Sequence, residues 1–456
     1  MEAIITELPE DTVQLLFTSL NLVNTEKLKS VFSFLQNTSS RVASGAILSK
    51  IKKYKEEAVK TANEILEKIS KIQFKKDRIF HNGVFDILHT GHLNAIRQSL
   101  KLGDYLVVGV NSDADVAKVK GPTLMKIDER LALVKNLKWV NEAQPDTPYK
   151  PAMAVLEKYG CDYYAHGDEF CLDANGNVLF DDIIREDRLR LFKRTEGTST
   201  TVITGRLLMS LKDKMESLDM KDPNNRSIKE KLEIFEQFMN KPQTMLNSII
   251  VTSQRINDFS NHRIPKDSDH IVYILGDFDI LHYAHMEALT KAKKEGDFLY
   301  VGVFDDNTAR KYRGEKSKCP ILPLNERALN MLGYRQVDEV IFGAPMKVTE
   351  DMIDLMRIKT VVQFVCKEEG AGKFFKKTPE EIKHLQEMDE YIYEIPKKLG
   401  ILKQIELSMP MDNDCILEKI WKEKEGFLKK FLQKAELEKQ NSKEIARRET
   451  KELINN

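Results

Sequence analysis

The sequence predicts an α/β protein: two tandem domains with parallel sheets, preceded by a helical N-terminal extension and followed by a charged helical tail. Three observations lead there. The run NGVFDILHTGHLNAIRQSLKLGDYLVVGVNSD, from Asn82, returns as LGDFDILHYAHMEALTKAKKEGDFLYVGVFDD, from Leu275. Each copy reads strand, helix, strand, an order that needs a crossover helix and hence parallel pairing. At 456 residues the chain is also too long for one ordinary core.

The elements follow in order. Gly83 matches Gly276 at an offset of 193 (276 − 83). Without a gap, the same offset carries Phe85, Asp86, His89 and His92 to Phe278, Asp279, His282 and His285. It continues from Gly103, Gly109, Asp113 and Gly121 to Gly296, Gly302, Asp306 and Gly314. A register held this long marks an internal duplication. RIFHNGVFD and IVYILGDFD are apolar runs of strand type. Leu93, Ile96 and Leu100 then recur at helix spacing, and Gly103 ends that helix. DYLVVGV reads as a second buried strand, followed by an Asp-rich turn. In such open sheets a ligand sits at the carboxyl ends of the strands.

The expected boundaries are 1–75 for the helical extension, 76–215 for the first copy and 216–268 for an ordered linker. The second copy spans 269–408 and the tail 409–456. In the tail, Ile416, Ile420, Phe427, Phe431 and Leu432 lie at helix-like spacings among lysines and glutamates. A membrane-surface helix has this pattern; so does a helix packed on the second domain, which the glutamates favour.

Composition narrows the function classes. Lys+Arg and Asp+Glu number 71 each, so no net field points to nucleic acid or an acidic membrane. Five scattered cysteines without a Cys-x-x-Cys pair suit reduced thiols, not a disulfide frame or zinc site. The start, MEAIITELPEDTVQLL, is acidic where a signal peptide is basic, and no apolar run reaches membrane-span length. A soluble cytoplasmic protein is expected.

The chemistry concentrates at His89 and His92. Positions i and i+3 share a helix face, and at a first turn they stand beside N–H groups without intrahelical partners, where anions are favoured. Gly91 between them leaves room for a phosphate to approach the backbone. Two histidines at this spacing also suit zinc or a plain surface, although no third ligand stands at a persuasive spacing.

The neighbouring motifs add a resemblance. GVFDILHTGH resembles the His-x-Gly-His signature of the nucleotidyltransferase superfamily. VKGPT (Val119–Thr123), IDERLALVKNLKWVNEA, AHGDE (Ala165–Glu169) and RTEGTSTT (Arg194–Thr201) resemble the ordered motifs of the cytidylyltransferases of phospholipid synthesis. Two copies in tandem, with KGP in the first, look like the phosphoethanolamine branch; the choline enzymes usually have one such domain and a long amphipathic membrane helix. Asn82 stands where the family usually has Asp, and Thr198 where it has Ile.

The resemblance implies two Rossmann-like nucleotidyltransferase domains that make CDP-ethanolamine and pyrophosphate from CTP and phosphoethanolamine, for phosphatidylethanolamine synthesis. Phosphocholine as acceptor, or a catalytically inactive nucleotide-binding regulatory relative, are the alternatives. It implies Mg²⁺ bound through the CTP phosphates, no protein metal ligands and no nucleic acid. It leaves room for weak peripheral contact with the endoplasmic reticulum membrane and for a homodimer. His89, His92, Lys120 and Arg194 would act in catalysis. Val84, Phe85, Gly91, Arg130, Tyr149, His166, Asp168, Thr195, Ser199 and Thr200 would line the nucleotide and substrate site. For Arg130 a buried ion pair is an equal alternative, and for Ser199 and Thr200 a simple helix cap is another.

The second copy keeps Phe278, His282 and His285 as a remnant, but Ala284 replaces the glycine and Arg313 the lysine. Met346 stands for Tyr149, VCKEE (with Lys367, Glu368 and Glu369) for HGD, and LSMPMDNDCILEKI for RTEGTSTT. The expectation is a nucleotidyltransferase fold without full activity.

Overall fold

In the computed structural model the described residues are 77–168, 180–195, 198–212, 227–231, 233–234, 251–314, 317, 319–366, 377–409, 411, 413–429 and 432. The expected helical extension at 1–75, most of the linker, Glu169, Gly197, Lys367, Glu368, Glu369, Phe431 and the end of the tail lie outside them.

The first copy runs β1 (Arg78–Gly83), α1 (Thr90–Leu100), β2 (Tyr105–Asn111), α2 (Asp113–Lys120), α3 (Ile127–Lys135) and β3 (Glu142–Thr147). It continues with α4 (Met153–Tyr159), β4 (Tyr163–Gly167), α5 (Asp181–Arg185), β5 (Leu189–Phe192) and α6 (Thr200–Ser210). After α7 (Ser253–Phe259) the second copy repeats the pattern: β6 (Ile271–Gly276), α8 (Tyr283–Lys293), β7 (Phe298–Val303), α9 (Asp306–Arg313), α10 (Leu324–Leu332) and β8 (Glu339–Phe342). Then come α11 (Glu350–Leu355), β9 (Ile358–Cys366), α12 (Pro379–Lys398), β10 (Leu402–Leu407) and α13 (Asp414–Lys422).

Both sheets are five-stranded, and every pairing within them is parallel. Their orders, β3-β2-β1-β4-β5 and β8-β7-β6-β9-β10, are the same. Each reverses direction beside its first strand, and the crevice there is the binding position of open α/β sheets. The Asp-rich segment expected as a turn is instead helix α2, because Ser112 caps it by accepting from Asp115 N–H. Lys120 is therefore the last residue of a helix, fixed in direction by the turns before it.

The two copies share one core. After α2 the second copy has a longer loop, so Arg130 matches Arg327 (327 − 130 = 197) and Leu137 matches Tyr334. Leu137 and Tyr334 form an antiparallel bridge between the copies. It is flanked by Lys138 N–H to Gly333 O (3.0 Å) and Arg335 N–H to Asn136 O (3.1 Å). A Cβ on Gly333 would stand 2.3 Å from Leu93 Cδ2, so glycine permits this close approach. Leu93, Leu137 and Tyr334 are fully buried. At about 1.5–3 kcal/mol for each large apolar side chain kept from water, exposing them would remove much of a typical domain stability of about 5–15 kcal/mol. Each copy is therefore a poor candidate for folding alone.

Two expected accessory segments join this core. Phe259, in the segment read as linker, is fully buried and meets Trp139 edge-on at 5.0 Å. In the tail, Ile416, Ile420 and Trp421 are buried, and α13 packs against α6 of the first copy rather than only on the second. The apolar stripe read from the sequence is thus an inward face over α13. Among the described residues, no helix is long and apolar enough to cross a membrane.

Candidate active site

After β1 the chain turns through Phe85 and Ile87, whose φ angles are 53° and 49°. Bulky residues rarely adopt positive φ, and such strain needs surrounding support. Asp86 supplies part of it, accepting from the N–H groups of Leu124 (2.7 Å) and Met125 (2.9 Å). Phe85 is buried, and its ring meets His92 edge-on at 5.5 Å. The second copy repeats the turn at Phe278 (φ 45°) and Asp279.

His89 is the N-cap of α1. Its Nδ1 accepts from Gly91 N–H at 3.1 Å, which puts the ring proton on Nε2, 3.4 Å from Thr200 Oγ1. One N–H expected to be free for a phosphate is thus taken by the imidazole itself. The His92 ring lies 3.9 Å from that of His89, centroid to centroid. Burial, with the positive field of Lys120, His81 and Arg194, holds His92 down to about 3. It is neutral at physiological pH. His92 Nδ1 and Thr198 Oγ1 are both buried and have no partner among the described residues. Buried polar atoms left unpaired are costly, and phosphate oxygens would satisfy both.

Gly91 lies between these groups. A Cβ there would meet His89 Cε1 at 2.9 Å and Thr198 Cγ2 at 3.0 Å. Gly91→Ala is expected to lower turnover about tenfold by displacing His89. Alanine's better helix propensity should meanwhile hold stability to within about 1 kcal/mol. Steady-state kinetics beside a thermal melt checks this, and a variant that melts earlier but turns over normally would contradict it.

Lys120 Nζ stands 5.4 Å from the centre of the Tyr149 ring, a cation–π distance. The loop carrying Tyr149 is pinned at Pro148 O, which accepts from Asn82 Nδ2 (3.0 Å) and Asn111 Nδ2 (2.9 Å). Tyr164 in turn donates to Asn82 Oδ1 at 2.8 Å. Asn111 and His81 escaped the sequence reading; the available signal was a polar residue within or closing an apolar strand run. His81 is buried against Phe85 and Phe192, with Nδ1 on Ala165 O at 3.0 Å, and burial lowers it to about 4.

On the far side, Asp168 Oδ1 accepts from Arg194 N–H at 2.9 Å, and Thr195 Oγ1 accepts from Asn94 Nδ2 at 2.8 Å. These bonds tie the ends of β4 and α1 to the segment leading into α6. Ser199 caps α6, its hydroxyl accepting from Val202 N–H at 3.2 Å, so the capping reading holds for it. Thr200, one residue on, has its hydroxyl 3.5 Å from Asp86 O. The His166 ring packs on Phe180 at 4.7 Å, and burial lowers its pKa.

Arg130 is engaged with protein acceptors. It is fully buried, and its guanidinium donates to Asp113, Asn111 O, Met125 O and Val84 O. The buried ion pair is the alternative seen, and Val84 enters chiefly through its carbonyl. Among the described residues no three His, Cys, Asp or Glu side chains gather as a metal site.

The second copy places the same elements differently. His282 and His285 are both buried, and Ala284 fills the place of Gly91 with no exposure. Arg313, the counterpart of Lys120, forms a two-point ion pair with Asp277 at 2.7 and 3.0 Å. Asp277 is the counterpart of Val84. A cavity of about 260 Å³ remains, lined by His285, Tyr312, Asp389 and this ion pair. Its lining sets the carboxylates of Asp277 and Asp389 beside Arg313 and Lys377, so its cations already stand among anions.

Comparison with known proteins agrees with the duplicated architecture. The profile of the cytidylyltransferase-like family matches residues 80–260 and 273–424, one segment for each copy. An ethanolamine-phosphate cytidylyltransferase of Dictyostelium discoideum is 37% identical over 335 residues, covering 73% of this chain and 87% of that protein. One from Arabidopsis thaliana is 34% identical over 376 residues, covering 80% and 85%. Choline-phosphate cytidylyltransferase 2 of Arabidopsis thaliana is 36% identical over 135 residues, covering 29% of this chain and 44% of its own. With both copies matched and such relatives aligned over most of the chain, the chain belongs to the cytidylyltransferase-like family, among the ethanolamine-phosphate cytidylyltransferases.

Proposed function

We propose that the first copy transfers CMP from CTP to phosphoethanolamine, releasing pyrophosphate. The carrying observation is the closely packed His89–His92 pair at the start of α1, with His92 Nδ1 and Thr198 Oγ1 buried and unpartnered among the described residues. A phosphate oxygen of the acceptor attacks the α-phosphorus as the bond to pyrophosphate breaks. That oxygen belongs to a monoester with a second pKa of about 6, so it is already ionised near neutrality and no general base is needed. What remains is bringing two anions together and stabilising the charge on the leaving group, a matter of position and electrostatics. His89 Nε2–H and His92 would hydrogen-bond the triphosphate, Lys120 would bridge acceptor and α-phosphate, and Arg194, Ser199 and Thr200 would face the β- and γ-phosphates. Magnesium would arrive on those phosphates and reduce their charge; the imidazoles and cations of this site suit the phosphates, not the ion.

The second copy, with its cation paired to Asp277, would serve the first and not turn over CTP itself. Phosphoethanolamine is preferred over phosphocholine as acceptor because the ethanolamine relatives align across most of the chain, whereas the choline relative aligns over 135 residues.

Pyrophosphate release from CTP and Mg²⁺, measured separately with phosphoethanolamine and phosphocholine, tests the reading. Faster turnover with phosphoethanolamine is expected, and none with either would sink it. Because His92 stays neutral until about pH 3, the acid limb of kcat/KM should report the acceptor. The rate should fall as pH drops through about 6 and the attacking oxygen is protonated. A limb that stays put when the acceptor is exchanged for one of different second pKa would implicate a protein group instead.

A further inference from the structure

Helix α10 of the second copy touches both helices that begin at the first copy's site. At α1, Thr90 stands between His89 and Gly91, and its hydroxyl is 2.9 Å from Asn330 Oδ1 and 3.3 Å from Glu326 O. At α6, Arg206 Nη1 lies 3.5 Å from Glu326 Oε1. Thr90, Glu326 and Asn330 are all fully buried. Asn330 Nδ2 has no partner among the described residues. Turning the amide over would let it donate to Thr90 while Thr90 donates to Glu326 O, and either orientation ties the three together.

The reciprocal contacts are different. Tyr283, the counterpart of Thr90, is 43% exposed. Leu133 stands where the second copy has Asn330. Glu129, the counterpart of Glu326, pairs with Lys419 at 3.4 Å, but with side chains 25% and 40% exposed. Buried polar contacts carry a desolvation cost that Leu133, in the place of Asn330, avoids. The fully buried hydroxyl–amide contact stands beside the first copy's site.

We propose that Asn330 and Glu326 are positioning residues for the first site: α10 clamps α1 to α6 and so fixes His89 against Thr200. This rests on the first copy being the catalytic one. The spacing between those helices sets the width of the phosphate cradle, and misplacement by about 1 Å can cost up to 10²-fold in rate.

The test uses the full chain with Thr90→Val, Thr90→Ser, Asn330→Leu and the Thr90→Val/Asn330→Leu pair. Thr90→Val and Asn330→Leu should each lower kcat about tenfold with KM for phosphoethanolamine little changed. The pair should lose no more than the worse single variant, and Thr90→Ser should keep near-normal turnover. Amide hydrogen exchange without substrate should quicken over residues 90–93 and 200–203 in Asn330→Leu and stay unchanged in α8. Normal kcat with a lower melting point would overturn the clamp, as would losses that multiply in the pair or exchange that does not respond. If the unsubstituted protein shows no turnover while exchange responds as described, the clamp stands and the catalytic reading alone fails.

Discussion

Replacing His92 with alanine is expected to lower turnover by about 10²–10³-fold, the usual cost of removing one preorganised donor from a site of developing negative charge. In the substrate-free protein burial and the neighbouring cations hold His92 down to about 3, so it meets the triphosphate as a neutral imidazole. Its contribution is a fixed dipole, already oriented before the substrate arrives and therefore costing no reorganisation during the reaction. The same substitution at His285 should leave turnover of the folded protein within about threefold, with its effect confined to stability. There the imidazole serves the fold: Nδ1 accepts from His282 N–H at 3.3 Å, closing the start of α8. Comparing the two variants in one assay separates catalytic loss from folding loss. Equal losses would mean that both copies contribute to chemistry.

The duplication was legible because glycines, aspartates and histidines held one register, and those residues fix turns and caps that either fold or fail. Parallel order followed from strand–helix–strand grammar, and both sheets obey it. Asp86 recurs as Asp279, and each accepts two backbone N–H groups from the segment ahead of α3 or α10. Other features resisted for physical reasons. The burial of α13 against α6 depends on which surface an amphipathic helix finds, and periodicity says nothing about the partner. His89 as a cap competing for Gly91 N–H depends on one side-chain rotamer. The contact of Thr90 with Asn330 joins residues 240 positions apart, where no local pattern connects them. Arg130 could be called neither site nor core from its sequence, because a buried guanidinium and a phosphate-binding one look alike until their acceptors are known.

Val84→Asp should inactivate the first copy by giving it the electrostatics of the second. In the second copy the Asp277 carboxylate holds Arg313 at two points. The backbone at the two positions is equivalent, since Arg130 donates to Val84 O as Arg327 does to Asp277 O. A carboxylate at 84 would therefore reach toward Lys120, and two losses would add. The lysine charge would be paired before CTP arrives, and a negative group would face the triphosphate. Two unit charges about 5 Å apart at an effective dielectric of about 20 interact by about 3 kcal/mol, or more than 10²-fold in rate. Val84→Asn, with nearly the same shape and no charge, should lose less than about tenfold. Adding Lys120→Ala to Val84→Asp should cost little more, because the lysine is already out of use, whereas Lys120→Ala alone should cost about 10²-fold. Near-normal turnover in Val84→Asp would mean that Lys120 does not meet the reacting phosphates, and that the Asp277–Arg313 pair does not silence the second copy.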